Sequence, residues 1–468
     1  MGRAFVPSLM LVGLVVSIIS SLGAPLIPAL AREFGTELGA AQWSLTATML
    51  VGAVASPLVG RLGDGPHRRA VLVVCLSGVV LGGALASLAG NIGVLIVGRA
   101  LQGLGLAVMP LTMAAAREFL PRERATTVIA TLSVIGAVGI GLGYPITGLV
   151  ADAELSAAFW LGTAASAVAL VAAVRYVPPS RTAATGDPLD VPGAALIAAG
   201  LLGFLVALEK APEWGWGSGR TLGLLLGGLL LLAIWVVHEL RNDAPLVDLR
   251  LLRHRAVLTA NVSALLLGVT MYLSLTLVTQ IVQHPDGADE TVFVAGLTLV
   301  PMSALSALSS GAVPALQRRF GVRATIPLGC GAVSVAALVA AAGGDRLWPA
   351  FVVMAIMGVG LGLTFAAMPA LIVGAVPARE TSSAMSVYQV ARYVGFAVGS
   401  GLAVTLLRAF GDHGEPTVDA YGSTFLVASA LTLVVAALAW WLPGRTLPTR
   451  SPVPEETAAG TATPDVPA

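Results

Sequence analysis

The sequence predicts an all-α integral membrane protein of 14 transmembrane helices, two parallel six-helix repeats plus two extra helices. Three observations carry this expectation. First, 56% of the 468 residues are apolar and only 11% are charged, where a soluble domain carries about 25% charged residues. With a mean hydropathy of +0.89, the apolar surface exceeds what a soluble core can hide, and lipid must solvate much of it. Second, apolar runs of helix-spanning length recur along the whole chain. Third, the arginines are distributed unevenly between the loops that join those runs.

The runs fall near 8–30, 43–62, 70–89, 92–115, 127–150, 157–176, 190–209, 221–238, 257–280, 291–313, 324–342, 348–373, 383–407 and 422–442. Gly and Pro interrupt many of them, which membrane helices tolerate because neighbouring helices satisfy the freed backbone groups. The first run follows a single basic residue, Arg3. It is longer than a signal-peptide core and reads as a retained first helix. With the amino terminus inside, nineteen of the 26 basic residues fall in cytoplasmic segments and five outside. That asymmetry sets both termini in the cytoplasm. All 8 tryptophans lie at run ends or in short loops, as expected of an interfacial belt. One lysine against 25 arginines, with heavy Ala, Gly, Leu and Val usage, points to a GC-rich bacterial genome and a plasma-membrane location.

The two ends of the chain echo each other. Gly103, Gly105, Pro121-Arg122-Glu123-Arg124, Gly139 and Gly143 return, about 255 residues later, as Gly358, Gly360, Pro377-Ala378-Arg379-Glu380, Gly395 and Gly399. Because each half holds an even number of spans, the repeat is parallel. The chain divides into a six-helix bundle at 1–176, two peripheral extra helices with linkers at 177–250, a second six-helix bundle at 251–445 and a disordered cytoplasmic tail at 446–468.

Four segments carry chemistry. Between the second and third runs stands Gly60-Arg61-Leu62-Gly63-Asp64-Gly65-Pro66-His67-Arg68-Arg69, with an acid placed for a positive helix start. In the fourth run, Gly98-Arg99-Ala100-Leu101-Gln102-Gly103-Leu104-Gly105 sets a guanidinium inside a span, at about 2.5–3.5 kcal/mol on insertion scales. Such an arginine either faces a cavity or caps buried carbonyls. In the fifth run, Gly136, Gly139, Gly141, Gly143, Pro145 and Gly148 suit close helix packing with a bend. In the thirteenth, Gln389, Arg392, Tyr393 and Gly395 bring a second embedded charge. The spans offer Ser20, Ser21, Thr46, Thr112, Tyr272, Gln389 and Tyr393 to line a substrate cavity. The cavity would be neutral or slightly positive through Arg99 and Arg392.

These segments resemble the major facilitator superfamily, and most closely its fourteen-span drug:proton antiporters. The loop segment is similar to the signature loop G-x-L-a-D-r-x-G-r-r, with Gly65 and His67 departing from it. The Arg99 segment resembles R-x-x-Q-G-x-G. The glycine-rich fifth run resembles the antiporter motif G-x-x-x-G-P-x-x-G-G, with Tyr144 and Thr147 as departures. Glu213-Trp214-Gly215-Trp216-Gly217 is also similar to that family. The resemblance implies a conformational latch at Gly60, Asp64, Arg68 and Arg69, proton transfer at Arg99 with Gln102, and export of drugs or metabolites by alternating access. It departs in the first span, where Ile19 stands at the family's Asp position. No acid lies near the middle of any run; the nearest candidates for coupling are Asp152 and Glu154, at the outer end of the fifth, and Glu209, at the outer end of the seventh.

The sequence-level expectation is therefore a proton-coupled exporter of small lipophilic, neutral or anionic molecules. An importer or uncoupled facilitator is the alternative, and a membrane enzyme or sensor a remote one. The 5 histidines show no metal spacing and no nucleotide-binding loop occurs, so no cofactor is expected. The net charge of +1 gives no reason to expect nucleic acid. The expected partners are the lipid bilayer, a small-molecule substrate and protons, and the expected state is a monomer.

Overall fold

The structure, a computed structural model, describes residues 3–21, 26–36, 38–151, 155–181, 190–243, 245–284, 287–343, 346–377, 380–412 and 417–441. Those residues are helical almost throughout. In chain order the helices are α1 Phe5–Ser21, α2 Ile27–Glu33, α3 Leu38–Gly63, α4 Arg68–Ser87, α5 Ile92–Gln102, α6 Val108–Phe119, α7 Arg122–Ala151, α8 Leu155–Tyr176, α9 Val191–Trp214 and α10 Gly219–Arg241. They continue with α11 Arg255–Gln283, α12 Val292–Leu297, α13 Leu299–Phe320, α14 Val322–Ala342, α15 Leu347–Ala375, α16 Thr381–Phe410 and α17 Val418–Trp441. Short 3-10 turns stand at Gly103–Ala107 and Leu249–Arg253.

Local chemistry explains several boundaries. The side chains of Asn91, Asp190, Ser218 and Thr291 accept a backbone N–H from the first turns of α5, α9, α10 and α12, satisfying a donor that the helix leaves free. The first run expected over 8–30 is described as α1 through Ser21 and, after Leu26, as α2 with Pro28 in its first turn; residues 22–25 lie outside the described residues. The fourth run changes pitch at Gly103–Ala107. There a Cβ on Gly103 would sit 2.4 Å from the Thr48 carbonyl oxygen of α3, so the backbones touch where only glycine fits.

Twelve helices among the described residues are long and apolar enough to cross a membrane. The expected count of fourteen is not reached by that measure. Helix α1 is described over 17 residues, and residues 22–25, which follow it, lie outside the described residues. Helix α7 has 30 residues but is not among the twelve; the side chains of 144–151 lie outside the described residues.

The packing repeats itself. In the amino-terminal group α1 packs on α7, α3 on α5, and α4 on both α5 and α8; in the carboxy-terminal group α11 packs on α16, α13 on α15, and α14 on both α15 and α17. The groups meet through α3 and α6 with α16, and through α7 with α12, α13 and α15. Of the pair expected to be peripheral, α10 is so: 17% of its apolar stretch is buried, against 72% for α15. Helix α9 is not, because it packs on both α3 and α16.

Candidate functional site

The two groups are pinned together at the end where the arginines cluster. Asp64, in the loop between α3 and α4, accepts hydrogen bonds from the backbone N–H groups of Ser382 (2.8 Å) and Ser383 (2.9 Å) and from the Ser383 hydroxyl. These donors form the first turn of α16, where unpaired N–H groups and the helix dipole favour a negative charge. Arg117, at the end of α6, makes the reverse contact. It donates to the carbonyls of Val376 (2.7 Å) and Pro377 (3.3 Å), at the end of α15, and to the Thr381 hydroxyl (2.6 Å). An anion at a helix start and a cation at the preceding helix end are both held by complementary backbone dipoles.

Several neighbours hold the latch in shape. Arg68 donates through Nε to the Gly63 carbonyl (2.7 Å) and pairs with Glu118. Glu118 also accepts from the Ser180 hydroxyl and the Arg181 backbone. Arg69 reaches the Val174 carbonyl of α8 (2.5 Å). Gly60 has no room for a side chain, since a Cβ there would lie 2.2 Å from Ser386 Oγ. Burial raises the Asp64 carboxyl from its ordinary 3.8 to about 6, against the opposing pull of Ser383, Ser382 and Arg68.

Further along the same interface lies a small cavity in two adjoining lobes. One, of about 50 Å³, is lined by Val16 and Ser17 of α1, Met49 of α3, Leu106, Met109 of α6, Gly136 of α7, and Gln389, Arg392, Tyr393 and Phe396 of α16. The other, of about 40 Å³, shares Met49, Tyr393 and Phe396 and adds Thr46, Tyr272, Ser400 and Leu205 of α9, among others. A drug-sized ligand occupies a pocket of roughly 300–1,000 Å³. Both lobes are therefore far smaller in this conformation than a drug-sized ligand needs.

Arg392 is the one charged residue among the described lining. Its guanidinium carbon stands 5.3 Å from the Phe365 ring centre, 5.9 Å from Tyr388, 5.6 Å from Tyr393 and 5.8 Å from Phe396. Its Nε has no hydrogen-bond partner. The backbone behind it is fixed by glycine. A Cβ on Gly395 would meet the Leu265 carbonyl of α11 at 2.2 Å, and one on Gly268 would meet the Arg392 carbonyl at 2.7 Å. Helices α11 and α16 thus lie backbone to backbone. Beside Arg392, Gln389 donates to the Tyr393 hydroxyl (3.4 Å).

Arg99 has a different setting. It is fully buried and borders neither lobe. It donates to the Ile19 carbonyl (3.0 Å) and to Gln102 Oε1 (2.7 Å), while its Nε and second Nη have no partner. Its own carbonyl accepts from Thr48 (2.9 Å). Ile19, the residue standing at the family's Asp position, thus meets the guanidinium with a backbone oxygen.

The structure brings Thr46, Tyr272, Gln389, Arg392 and Tyr393 together at the cavity. Thr112 is buried outside it, its hydroxyl donating to the Met109 carbonyl (2.7 Å), the usual fate of a mid-helix threonine. Gly139 packs on α1, a Cβ there lying 2.3 Å from Ser17 Cβ; Gly143 is buried. Asp152, and the side-chain surroundings of Ser20, Ser21, Pro145 and Gly148, lie outside the described residues. Sequence reading missed Arg117, Glu118, Thr381, Ser382 and Ser383 at the latch, and Met49, Phe365 and Phe396 around the cavity. The run Thr381-Ser382-Ser383 after Glu380 carried a usable signal, because hydroxyl residues gather at helix starts.

The Major Facilitator Superfamily profile matches residues 9–400 and 315–465. The tetracenomycin C resistance and export protein of Streptomyces glaucescens is 27% identical over 412 residues, 85% of this chain and 75% of that protein. The puromycin resistance protein pur8 of Streptomyces alboniger is 28% identical over 473 residues, 94% and 90% of the two chains. The crystal structure of the human organic anion transporter MFSD10 superposes with a TM-score of 0.67 at 16% identity, over 93% of this chain and 99% of that one, a likeness of fold. The profile spans most of the chain, its relatives are transporters, and the helices have the length and apolarity to cross a bilayer: this chain belongs to the Major Facilitator Superfamily and is a multi-pass membrane transporter.

Proposed function

We propose that the protein exports small lipophilic molecules, neutral or anionic, across a bacterial plasma membrane in exchange for protons. The observation that carries this reading is one interface with two unlike parts. A cavity is walled by both helix groups, and a latch of Asp64 and Arg117 closes the arginine-rich end beside it. A cavity shared between groups that part at one end suits alternating access, with residues 1–176 rocking against 251–445. Residues 177–250 add α9 and α10; 446–468, the expected cytoplasmic tail, lie outside the described residues. Counting α1 with α2, and α7, beside the twelve long apolar helices gives the fourteen spans of the drug:proton antiporters. The arginine-rich latch end then faces the cytoplasm with both termini. Relatives named for antibiotic export and resistance in Streptomyces support the direction and the setting. The monomer is the working state in this reading.

An uncoupled facilitator is the second reading, favoured by one observation: the described residues lining the cavity include an arginine and no carboxylate. The test is dye-driven proton flux in proteoliposomes, using N-phenyl-1-naphthylamine, with wild type beside Arg99→Ala and Asp152→Asn. Dye movement coupled to counter-flow of protons, lost in both variants, is the expected result. Dye movement with no proton movement would establish the facilitator.

A further inference from the structure

The cavity contains one charge whose surroundings do not neutralise it. Arg392 is surrounded by four aromatic rings, and its Nε N–H has no acceptor. Cation–π attraction holds a guanidinium in place and replaces part of its lost hydration, but ring faces accept no conventional hydrogen bond and carry no net charge. Across the cavity, the described walls from α1, α3, α6 and α7 offer aliphatic groups, the Ser17 hydroxyl and the sulfurs of Met49 and Met109. The second lobe adds Thr46, Tyr272 and Ser400, all neutral. In a site walled largely by apolar side chains, a second cation would be repelled and an anion attracted more strongly than in water.

We infer that the transported substrate is an aromatic organic anion, its carboxylate, phenolate or sulfonate set against Arg392 and its ring body against Tyr272, Tyr393, Phe396 and the two methionines. This deepens the transport reading above and rests on it. The anion supplies the negative charge that Arg392 lacks and an oxygen acceptor for its unpaired Nε N–H, in charge-assisted hydrogen bonds to the guanidinium. Methionine walls conform to ring bodies of differing outline, and Tyr272 and Phe396 already stack with centres 5.7 Å apart. The negative group therefore fixes selection, and the apolar body is read loosely.

The test uses two dyes that share one skeleton and differ only by a sulfonate, 8-anilinonaphthalene-1-sulfonate and N-phenyl-1-naphthylamine, with ethidium as the cation. Saturable binding and transport are measured on the full chain in proteoliposomes, with empty vesicles subtracted. The sulfonate is expected to bind at least about tenfold tighter than its neutral twin, with ethidium weakest. Arg392→Gln is expected to lower the ratio of the two dye affinities about tenfold, and Arg392→Lys to retain part of it. A variant that merely damages the fold lowers both affinities and leaves the ratio, so an unchanged ratio in Arg392→Gln overturns the inference. Preference for the neutral dye overturns it too, while leaving the transport reading standing; preference for ethidium overturns it together with the neutral-or-anionic part of that reading. If the wild type moves none of the three dyes, both fall.

Discussion

Arg99 and Arg392 stand one in each helix group, each within a glycine-rich helix, and the cost of burying a charge in a membrane treats them alike. Their settings differ. Arg99 has polar neighbours and no access: a carbonyl and an amide take one nitrogen, and the other two N–H nitrogens are unpaired in a fully buried site. Arg392 borders the cavity but is surrounded by aromatic rings. The same residue type thus does two jobs, decided by what it touches and whether a ligand can reach it. A partly satisfied buried charge is a poor source of stability, so Arg99 fits a role in the working cycle better than one in holding the fold.

The largest effect that could break this contrast is at Arg99 itself. Replacing it with an apolar side chain of similar length removes two unpaired N–H nitrogens from a buried site and leaves the Ile19 carbonyl and Gln102 Oε1 without their donor, opposing contributions of about 1–3 kcal/mol per group. Arg99→Met is expected to keep or raise the thermal midpoint while lowering dye transport by at least about tenfold, since a buried ionisable group kept at such cost is functional by default. Parallel loss of both would make Arg99 a structural residue and erase the distinction.

A second, smaller effect concerns access. Asp64→Ala removes the acceptor for three donors at the start of α16, and hydrogen bonds to a charge are worth about 1.5–3 kcal/mol each. Single cysteines report the outcome, one at Gly136 on the cavity wall and one at Gln102 beside Arg99. The native Cys75 and Cys330 are buried. Labelling from the arginine-rich side is expected to rise about tenfold at position 136 in Asp64→Ala and to stay unchanged at position 102. Equal gains at both would mean that Arg99 shares the cavity after all. The latch also has a pH dependence of fixed sign. The Asp64 carboxyl is raised from 3.8 to about 6 when the latch is closed, so closing takes up a proton. That advantage is complete below 3.8 and is lost as pH rises through about 6. The ratio of labelling at 136 to that at 102 should therefore fall between about pH 7.5 and about pH 5.

Much of the fold was legible because membrane helices advertise themselves by composition, and because the glycine echo has a physical basis. Gly103 meets the Thr48 carbonyl of α3 as Gly358 meets the Met302 carbonyl of α13; Gly139 meets Ser17 of α1 as Gly395 meets the Leu265 carbonyl of α11. Each pair marks the same crossing in its own group, where close backbone approach leaves room for nothing larger. Asp64 was legible through its motif. Its partners were not, since Ser382 and Ser383 lie more than 300 residues away and only tertiary packing sets that distance. The cavity was half legible: Gln389, Arg392 and Tyr393 are conspicuous in a span, whereas Met49 and Phe396 resemble any apolar residue in an apolar helix. Thr112 was misread for the complementary reason. A hydroxyl in a span can satisfy itself on its own helix, and sequence does not tell which hydroxyls do.

The smallest effect sharpens the contrast most. If Arg99 lacks only a counter-charge, a carboxylate supplied at hydrogen-bond distance should be welcome there. Gln102 Oε1 already stands 2.7 Å from the guanidinium. In Gln102→Glu that oxygen becomes charged and the unpaired Gln102 Nε2 is replaced by an acceptor. The ion pair so formed is buried and its gain is partly offset by desolvation, leaving a net effect of about 1 kcal/mol. The shift per kcal/mol shrinks as chain length grows, so in a chain of 468 residues the thermal midpoint should rise by about 1 °C. The double variant Arg99→Met with Gln102→Glu leaves a lone carboxylate in the same place and should fall well below either single variant. A rise in the first and a fall in the second would mean that the amino-terminal arginine lacks a partner the protein could have provided. No rise in Gln102→Glu would mean that the carbonyl of Ile19 and the amide of Gln102 already meet its needs, and the case for a working role at Arg99 would then rest on transport alone.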